Sequence, residues 1–178
     1  MAELPKRKPM RLREYDYSQS GAYYITICSR DQGGVFGEVI DTAVRLNQLG
    51  DIVVDCMLSL PEHFSLAKVD SFIVMPNHVH CILILECNDR HVPAEAVSKG
   101  SLGQIVAYLK YQTTKRLNAV RKSPGEKLWQ RNYYEHIIRN EDDLRRIRKY
   151  IENNPAKWIF DRYNPSHGSN KGWGAEFE

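Results

Sequence analysis

Two histidines separated by one residue, His78 and His80, lie in the stretch Val74-Met75-Pro76-Asn77-His78-Val79-His80. On an extended strand, residues two apart project to the same face, so the two imidazoles stand side by side. Neutral imidazole is a good ligand for divalent metals. A pair at this spacing therefore offers the start of a metal centre, with a further ligand to come from elsewhere in the chain. The same spacing also suits exposed histidines at a strand end, and the dipeptide alone does not decide between the two.

A second group of candidates lies far along the chain. Asn140 is a natural helix N-cap, and Glu141, Asp142 and Asp143 put negative charge in the first turn. The helix they open reaches about Asn154, where Pro155 ends it. Leu144, Ile147 and Ile151 form its apolar stripe. At roughly 100° per residue, Tyr150 and Asn154 share the flank of that stripe, one turn apart. A phenol and an amide oxygen thus face one neighbour. If that neighbour is the strand of His78 and His80, two imidazoles, an amide oxygen and a phenol meet. Taken singly, Tyr150 reads as a packing tyrosine and Asn154 as a C-cap residue.

The elements that must position these groups follow from patterning. Val69–Val74 and Cys81–Leu85 read as buried strands, and Pro76-Asn77 between them as a turn, so the histidines sit on a hairpin. Ala22–Cys28 is a further strand, and Val35–Leu46 is strand broken near Asp41. Asn47–Leu60 has apolar residues at helical spacing with Pro61 as a stop. Glu86–Gly100 is a polar connection, and Ser101–Val120 a second helix. Leu128–Arg139 is aromatic and β-prone, an expected edge strand. The order is strand, strand, helix, strand, strand, helix, strand, helix. It divides into a basic arm over 1–17, one domain over 18–160 and a tail over 161–178.

The totals bound the possibilities. A length of 178 residues with 42% hydrophobic residues suits one domain with its own core. No run approaches the roughly 18 apolar residues of a membrane span. The N-terminal segment is basic without an apolar stretch behind it, unlike a secretory signal. Cys28, Cys56, Cys81 and Cys87 are scattered with no Cys-x-x-Cys, as expected of reduced thiols in a cytoplasm. The net charge is only +3, but it is segregated. Lys6, Arg7, Lys8, Arg11 and Arg13 crowd the arm, and Lys110, Lys115, Arg116, Arg121 and Lys122 occupy a helix with no acid. With Tyr108 and Tyr111 interleaved, that helix could follow a nucleic-acid backbone and stack bases. A solvated helix face would look the same.

His78-Val79-His80 in its context resembles the HUH motif (histidine, bulky hydrophobe, histidine) of single-tyrosine transposases, and more closely their REP-associated branch. Three further blocks carry the resemblance in order: Trp129-Gln130-Arg131 with Tyr133-Tyr134-Glu135-His136, Arg139-Asn140-Glu141, and Tyr150-Ile151-Glu152-Asn153-Asn154-Pro155. They extend over about Ala22 to Trp158. The resemblance implies an α+β, ferredoxin-like sandwich, an antiparallel sheet with helices packed on it. It implies Tyr150 as nucleophile, with His78, His80 and Asn154 as ligands of Mg²⁺ or Mn²⁺. It also implies single-stranded DNA with palindromic hairpins as substrate, a 5′-phosphotyrosine intermediate, a monomer or homodimer, and a place in a prokaryotic cytoplasm with the nucleoid.

Lys6, Arg7, Arg11, Lys110, Lys115, Arg116 and Arg131 are the candidate DNA contacts. A phenol has an ordinary pKa near ~10, so Tyr150 needs activation, for which the metal, Arg146 and Lys149 are candidates. Tyr133 and Tyr134 lie in a β-prone run and read as packing or base-stacking groups. Two other functions fit the same residues: a catalytically silent, domesticated protein that only recognises repeat hairpins, and a metal-dependent hydrolase that activates water.

Overall fold

A computed structural model of the chain describes residues 16–17, 19–86 and 100–165. The arm that carries Lys6, Arg7 and Arg11, most of the 86–100 connection and the end of the tail lie outside the described residues.

Eight residues, Gly21–Cys28, form β1, and the hairpin expected around the histidines forms β4 (Ala67–Val74) and β5 (His78–Leu85). With β6 (Tyr134–Ile138) they make an antiparallel sheet of order β4-β5-β1-β6. Between β1 and the first helix sit β2 (Gly37–Ile40) and β3 (Ala43–Leu46), a separate two-stranded hairpin. Its turn residues Asp41 and Thr42 have φ of 48° and 66°, the positive pair that a tight two-residue hairpin turn requires. The strand break near Asp41 is therefore a reversal of direction.

Helix α1 (Gln48–Leu58) begins where Asn47 accepts from the amides of Leu49 and Gly50, and a single turn, α2 (Leu60–His63), follows it. Gly50 has to be glycine, because a Cβ there would lie 2.3 Å from the carbonyl oxygen of Phe36. Helix α3 (Leu102–Arg121) opens on a capping box between Ser101 and Gln104. Helix α4 (Glu141–Asn153) is capped by Asn140, whose side chain accepts from the amide of Asp143.

Side-chain parity divides the sheet between two cores. Tyr23, Ile25 and Ile27 of β1 and Val79, Cys81 and Leu83 of β5 pack with residues of α1 and α3. Tyr24 and Ile82 face the other way and pack with Leu144, Ile147 and Ile151 of α4. Setting aside β2–β3, the succession β1, α1, β4, β5, α3, β6 with two helices on one face is the ferredoxin-like arrangement. Helix α4 covers part of the opposite face. Arg148 and Asp70 tie it to β4 with two hydrogen bonds, the longer being 2.8 Å.

The edge strand is shorter than the β-prone run Leu128–Arg139. Trp129 makes only an isolated bridge with Ser29. Its ring sits 5.1 Å from Phe36, and its indole N–H donates to Thr113 at 2.7 Å. A buried tryptophan needs a partner for that N–H, and finding it on α3 pulls the chain out of the sheet before Tyr134.

Candidate metal and nucleophile site

His78 and His80 open β5, opposite Cys28 and Thr26 of β1. They share parity with Ile82, so both point to the face that carries α4. Neither is an exposed strand-end histidine, since both are fully buried. Their Nε2 atoms stand 2.9 Å apart.

The other ring nitrogens show how the imidazoles are held. Nδ1 of His78 lies 2.9 Å from Oδ1 of Asn77. An amide oxygen only accepts, so Nδ1 carries the proton and Nε2 presents its lone pair. The orientation of the Asn77 amide is set in turn, because its Nδ2 donates to the carbonyls of Gln32 at 2.6 Å and Tyr163 at 2.7 Å. Nδ1 of His80 lies 2.7 Å from the Tyr24 hydroxyl and 2.9 Å from Oγ1 of Thr26. Thr26 donates to Tyr24 at 3.1 Å, and the two hydroxyls together hold the Nδ1 side of the His80 ring. Burial holds the pKa of both histidines down, that of His80 to about 3 and that of His78 well below the usual value. The neighbouring imidazole adds to the effect at His78, and the Arg162 guanidinium adds to it at both. At neutral pH both rings are uncharged, the state a metal ligand needs.

Two imidazole Nε2 atoms 2.9 Å apart have either a proton or a cation between them. Two ligand atoms ~2.1 Å from one cation are separated by about this distance when they subtend roughly 90°. The oxygen side of the set is also present. Asn154 is buried, and its Oδ1 has no hydrogen-bond partner among the described residues. Leaving such an oxygen unpaired costs about 1–3 kcal/mol, a cost that a bound cation would remove. Asp161 is buried as well, with Oδ2 3.9 Å from Nε2 of His78. Potential ligand atoms of His78, His80 and Asp161 all lie within 4.8 Å of one another, a set able to hold a metal ion.

Helix α4 delivers the phenol. The Tyr150 ring is 5.3 Å from the His80 ring, edge to face, and 6.2 Å from the Tyr24 ring. Asn154, one turn on, caps the helix, and the 3₁₀ turn Pro155–Phe160 then carries Trp158 to 6.0 Å from the His78 ring. Asn154 thus lies in the chain between a residue against His80 and a residue against His78. Arg146, a candidate activator of Tyr150, forms an ion pair with Asp143 at 2.6 Å. Lys149 is exposed. Tyr133 packs in the core on the other side of the sheet, and Tyr134 lies on β6 opposite Thr26, its ring 6.1 Å from that of Tyr24.

The candidate DNA contacts fare differently from one another. Lys115, Arg116 and Arg131 are exposed. Arg116 donates to Sγ of Cys56 at 3.5 Å. Lys115 lines a groove of about 450 Å³ beside α3 with Tyr111, Asn118 and Lys127. Lys110 is turned inward. Its Nζ donates to the carbonyls of Gln130, Arg131 and Asn132 at 3.0, 3.4 and 3.0 Å, and burial lowers its pKa to about 8. Its three N–H donors serve the chain itself, so Lys110 is a clamp between α3 and the segment before β6. The core-facing residues of α3 pack on the side of the sheet away from the histidines.

Sequence reasoning passed over Asn77, Tyr24, Thr26, Asp161 and Tyr163. Parity alone puts Tyr24 and Thr26 on one face of β1. Placing them under His80 needs the β1–β5 register. Asn77 reads as turn chemistry, and nothing in the sequence shows that the turn is buried and pinned, with its carbonyl accepting from both the amide and Oγ of Ser29 at 2.8 Å. Partners of this kind orient metal-binding histidines, and losing one typically lowers metal affinity 10–100-fold. Asn77→Ala is therefore expected to weaken Mn²⁺ binding by that factor in calorimetric titration, and wild-type affinity would remove Asn77 from this role.

Comparison with known proteins agrees with this arrangement. A family model described as "Transposase IS200 like" matches residues 57–154. An uncharacterized protein of Haemophilus influenzae is 36% identical over 173 residues, covering 90% of this chain and 94% of that one. A second protein of the same organism, named as a candidate REP-associated tyrosine transposase, is 27% identical over 150 residues, covering 80% and 74%. A solved structure of a REP-associated tyrosine transposase bound to a REP hairpin shares the fold. Its TM-score is 0.59 at 20% identity, with 85% of this chain and 76% of that chain covered.

Proposed function

This chain belongs to the IS200-like transposase family, and from that premise we propose that it cleaves and rejoins single-stranded, hairpin-containing DNA through a 5′-phosphotyrosine at Tyr150. The observation that carries the reading is the placing of the Tyr150 ring 5.3 Å from His80, beside two neutral imidazoles whose Nε2 atoms converge.

His78, His80 and Asn154 would hold the ion, Mg²⁺ or Mn²⁺, with nitrogen and amide-oxygen ligands. When bound, the ion supplies Lewis-acid polarisation of the scissile phosphate. The chain's own residues do the rest. The Tyr150 oxygen forms a bond to phosphorus as its proton is lost, and the bond from phosphorus to the 3′-oxygen breaks. That oxygen takes up a proton and leaves as a 3′-hydroxyl, while the 5′-phosphate stays on Tyr150. Attack by a 3′-hydroxyl on the phosphotyrosine reverses the step. One phosphodiester is exchanged for another, so rejoining needs no nucleotide cofactor.

Asn77 fixes the tautomer of His78 during this exchange, and Tyr24 and Thr26 hold the His80 ring in place. The exposed Lys115, Arg116 and Arg131, with Lys6, Arg7 and Arg11 of the arm, would neutralise DNA phosphates. Among the described residues no helix is long and apolar enough to cross a membrane.

The test uses labelled single-stranded hairpins from the flanks of the encoding gene, with Mn²⁺ or with EDTA, on denaturing gels. A Mn²⁺-dependent, protease-sensitive shifted band whose cross-linked peptide contains Tyr150 is the expected result. Hairpin binding without that band would mean a silent, hairpin-binding protein.

A further inference from the structure

The family match ends at residue 154, and Asp161 lies beyond it. Asp161 sits at the end of the 3₁₀ turn Pro155–Phe160, which Pro155 begins directly after Asn154. The carboxylate is buried and its two oxygens have different surroundings. Oδ1 accepts from the amide of Tyr163 at 2.7 Å, and Oδ2 faces Nε2 of His78 at 3.9 Å. That gap is too long for a hydrogen bond. It is within the ~4.2 Å that two ligand atoms can span across one cation at ~2.1 Å each. The segment is held in place by a second contact, since the Tyr163 carbonyl accepts from the same Asn77 amide that orients His78. The Tyr163 ring lies 4.6 Å from the His78 ring.

We propose that Asp161 is an additional ligand of the metal centre, so that the ion is held by His78, His80, Asn154 and Asp161, and that metal binding locks residues 161–163 against His78. This rests on the reading of His78 and His80 as metal ligands. Its chemistry differs from that of a centre with an amide oxygen alone. Two neutral imidazoles and an amide leave the full double charge of the cation in a buried site, whereas a carboxylate halves it. A charged oxygen also suits Mg²⁺ and Mn²⁺ better than a neutral one.

The test is Mn²⁺ titration of the full-length protein without DNA, followed by the loss of the free-ion signal in electron paramagnetic resonance. Hydrogen exchange of residues 155–164 is measured with and without the ion. Wild type is expected to bind Mn²⁺ and to slow exchange at 161–164. Asp161→Asn, which is isosteric and keeps an oxygen for the Tyr163 amide, is expected to bind at least ~10-fold more weakly and to lose that protection. Asp161→Glu, which restores the charge, is expected to recover part of the affinity. Unchanged melting in EDTA shows that the variants fold.

Wild-type affinity in Asp161→Asn would overturn the proposal, and so would failure of the wild-type protein to bind Mn²⁺. The tyrosine mechanism is scored separately, by the covalent adduct. A centre that binds Mn²⁺ equally well without Asp161 leaves that mechanism standing.

Discussion

Tyr150→Phe is expected to abolish the covalent protein–DNA adduct, with cleavage falling by at least ~10⁴-fold, the scale on which removal of a nucleophile acts. The substitution deletes one oxygen. The ring that packs edge-on against His80 and Tyr24 remains, as do Leu144, Ile147 and Ile151, which anchor α4 to the sheet. Folding, Mn²⁺ binding and hairpin binding should therefore survive in the variant, and each can be measured beside the gel. Tyr133→Phe and Tyr134→Phe should retain the adduct, because the first ring lies in the opposite core and the second stands on β6, with β1 between it and the strand of the histidines. Cleavage that persists in Tyr150→Phe without any adduct would instead establish water as the nucleophile, and with it the hydrolase reading.

Acid is expected to destabilise the metal-free protein well above the range in which carboxylates titrate. His80 has its pKa pushed down to about 3 by burial, with Arg162 adding to the effect, and His78 is lowered in the same direction. In the unfolded chain each titrates near the ordinary ~6.5. Between these values the unfolded state takes up protons that the folded state refuses, so stability falls as pH falls. The loss begins near pH ~6.5 and continues towards the folded value. At pH 5 it amounts to roughly 2 kcal/mol from His80 alone, and His78 adds to it with the same sign. Urea titrations in EDTA at pH 7 and pH 5 measure the difference directly. Equal stability at the two values would mean that the imidazoles accept protons in place. Mn²⁺ should offset the loss at the upper end of the window, because it binds only the neutral rings.

The candidate ligands and the candidate nucleophile were legible in the sequence as local pairs. The alternation of a strand is enough to set His78 and His80 side by side, and the turn of a helix is enough to set Tyr150 and Asn154 one above the other. Both are local relations fixed by backbone geometry, so a single sequence contains them. The same holds for the Asn140 cap and the stop at Pro155, each of which depends on residues within one turn. The four blocks that resemble the transposase family extended this local reading to the sheet and its ferredoxin-like order.

What the sequence by itself determined, then, was which residues share a face and where each element starts and stops. The tertiary structure decided which faces meet. Nothing local requires α4 to cover the side of the sheet that carries the histidines. The outcome rests on Ile147 and Ile151 finding Tyr24 and Ile82 across the chain. Register decided that Thr26 lies opposite His80, which turns an ordinary strand threonine into a support for an imidazole. Packing decided that Lys110 turns inward, because three carbonyls before β6 converge on its Nζ and a basic residue on a helix does not announce such a partner. Asp161 and Tyr163 were the least legible of all. They follow the last helix in irregular chain with no periodicity, and their closeness to His78 comes from a turn after Pro155 and one asparagine amide. Contacts between residues far apart in sequence leave no periodic signal, and the residues that surround His78 and His80 are of that kind.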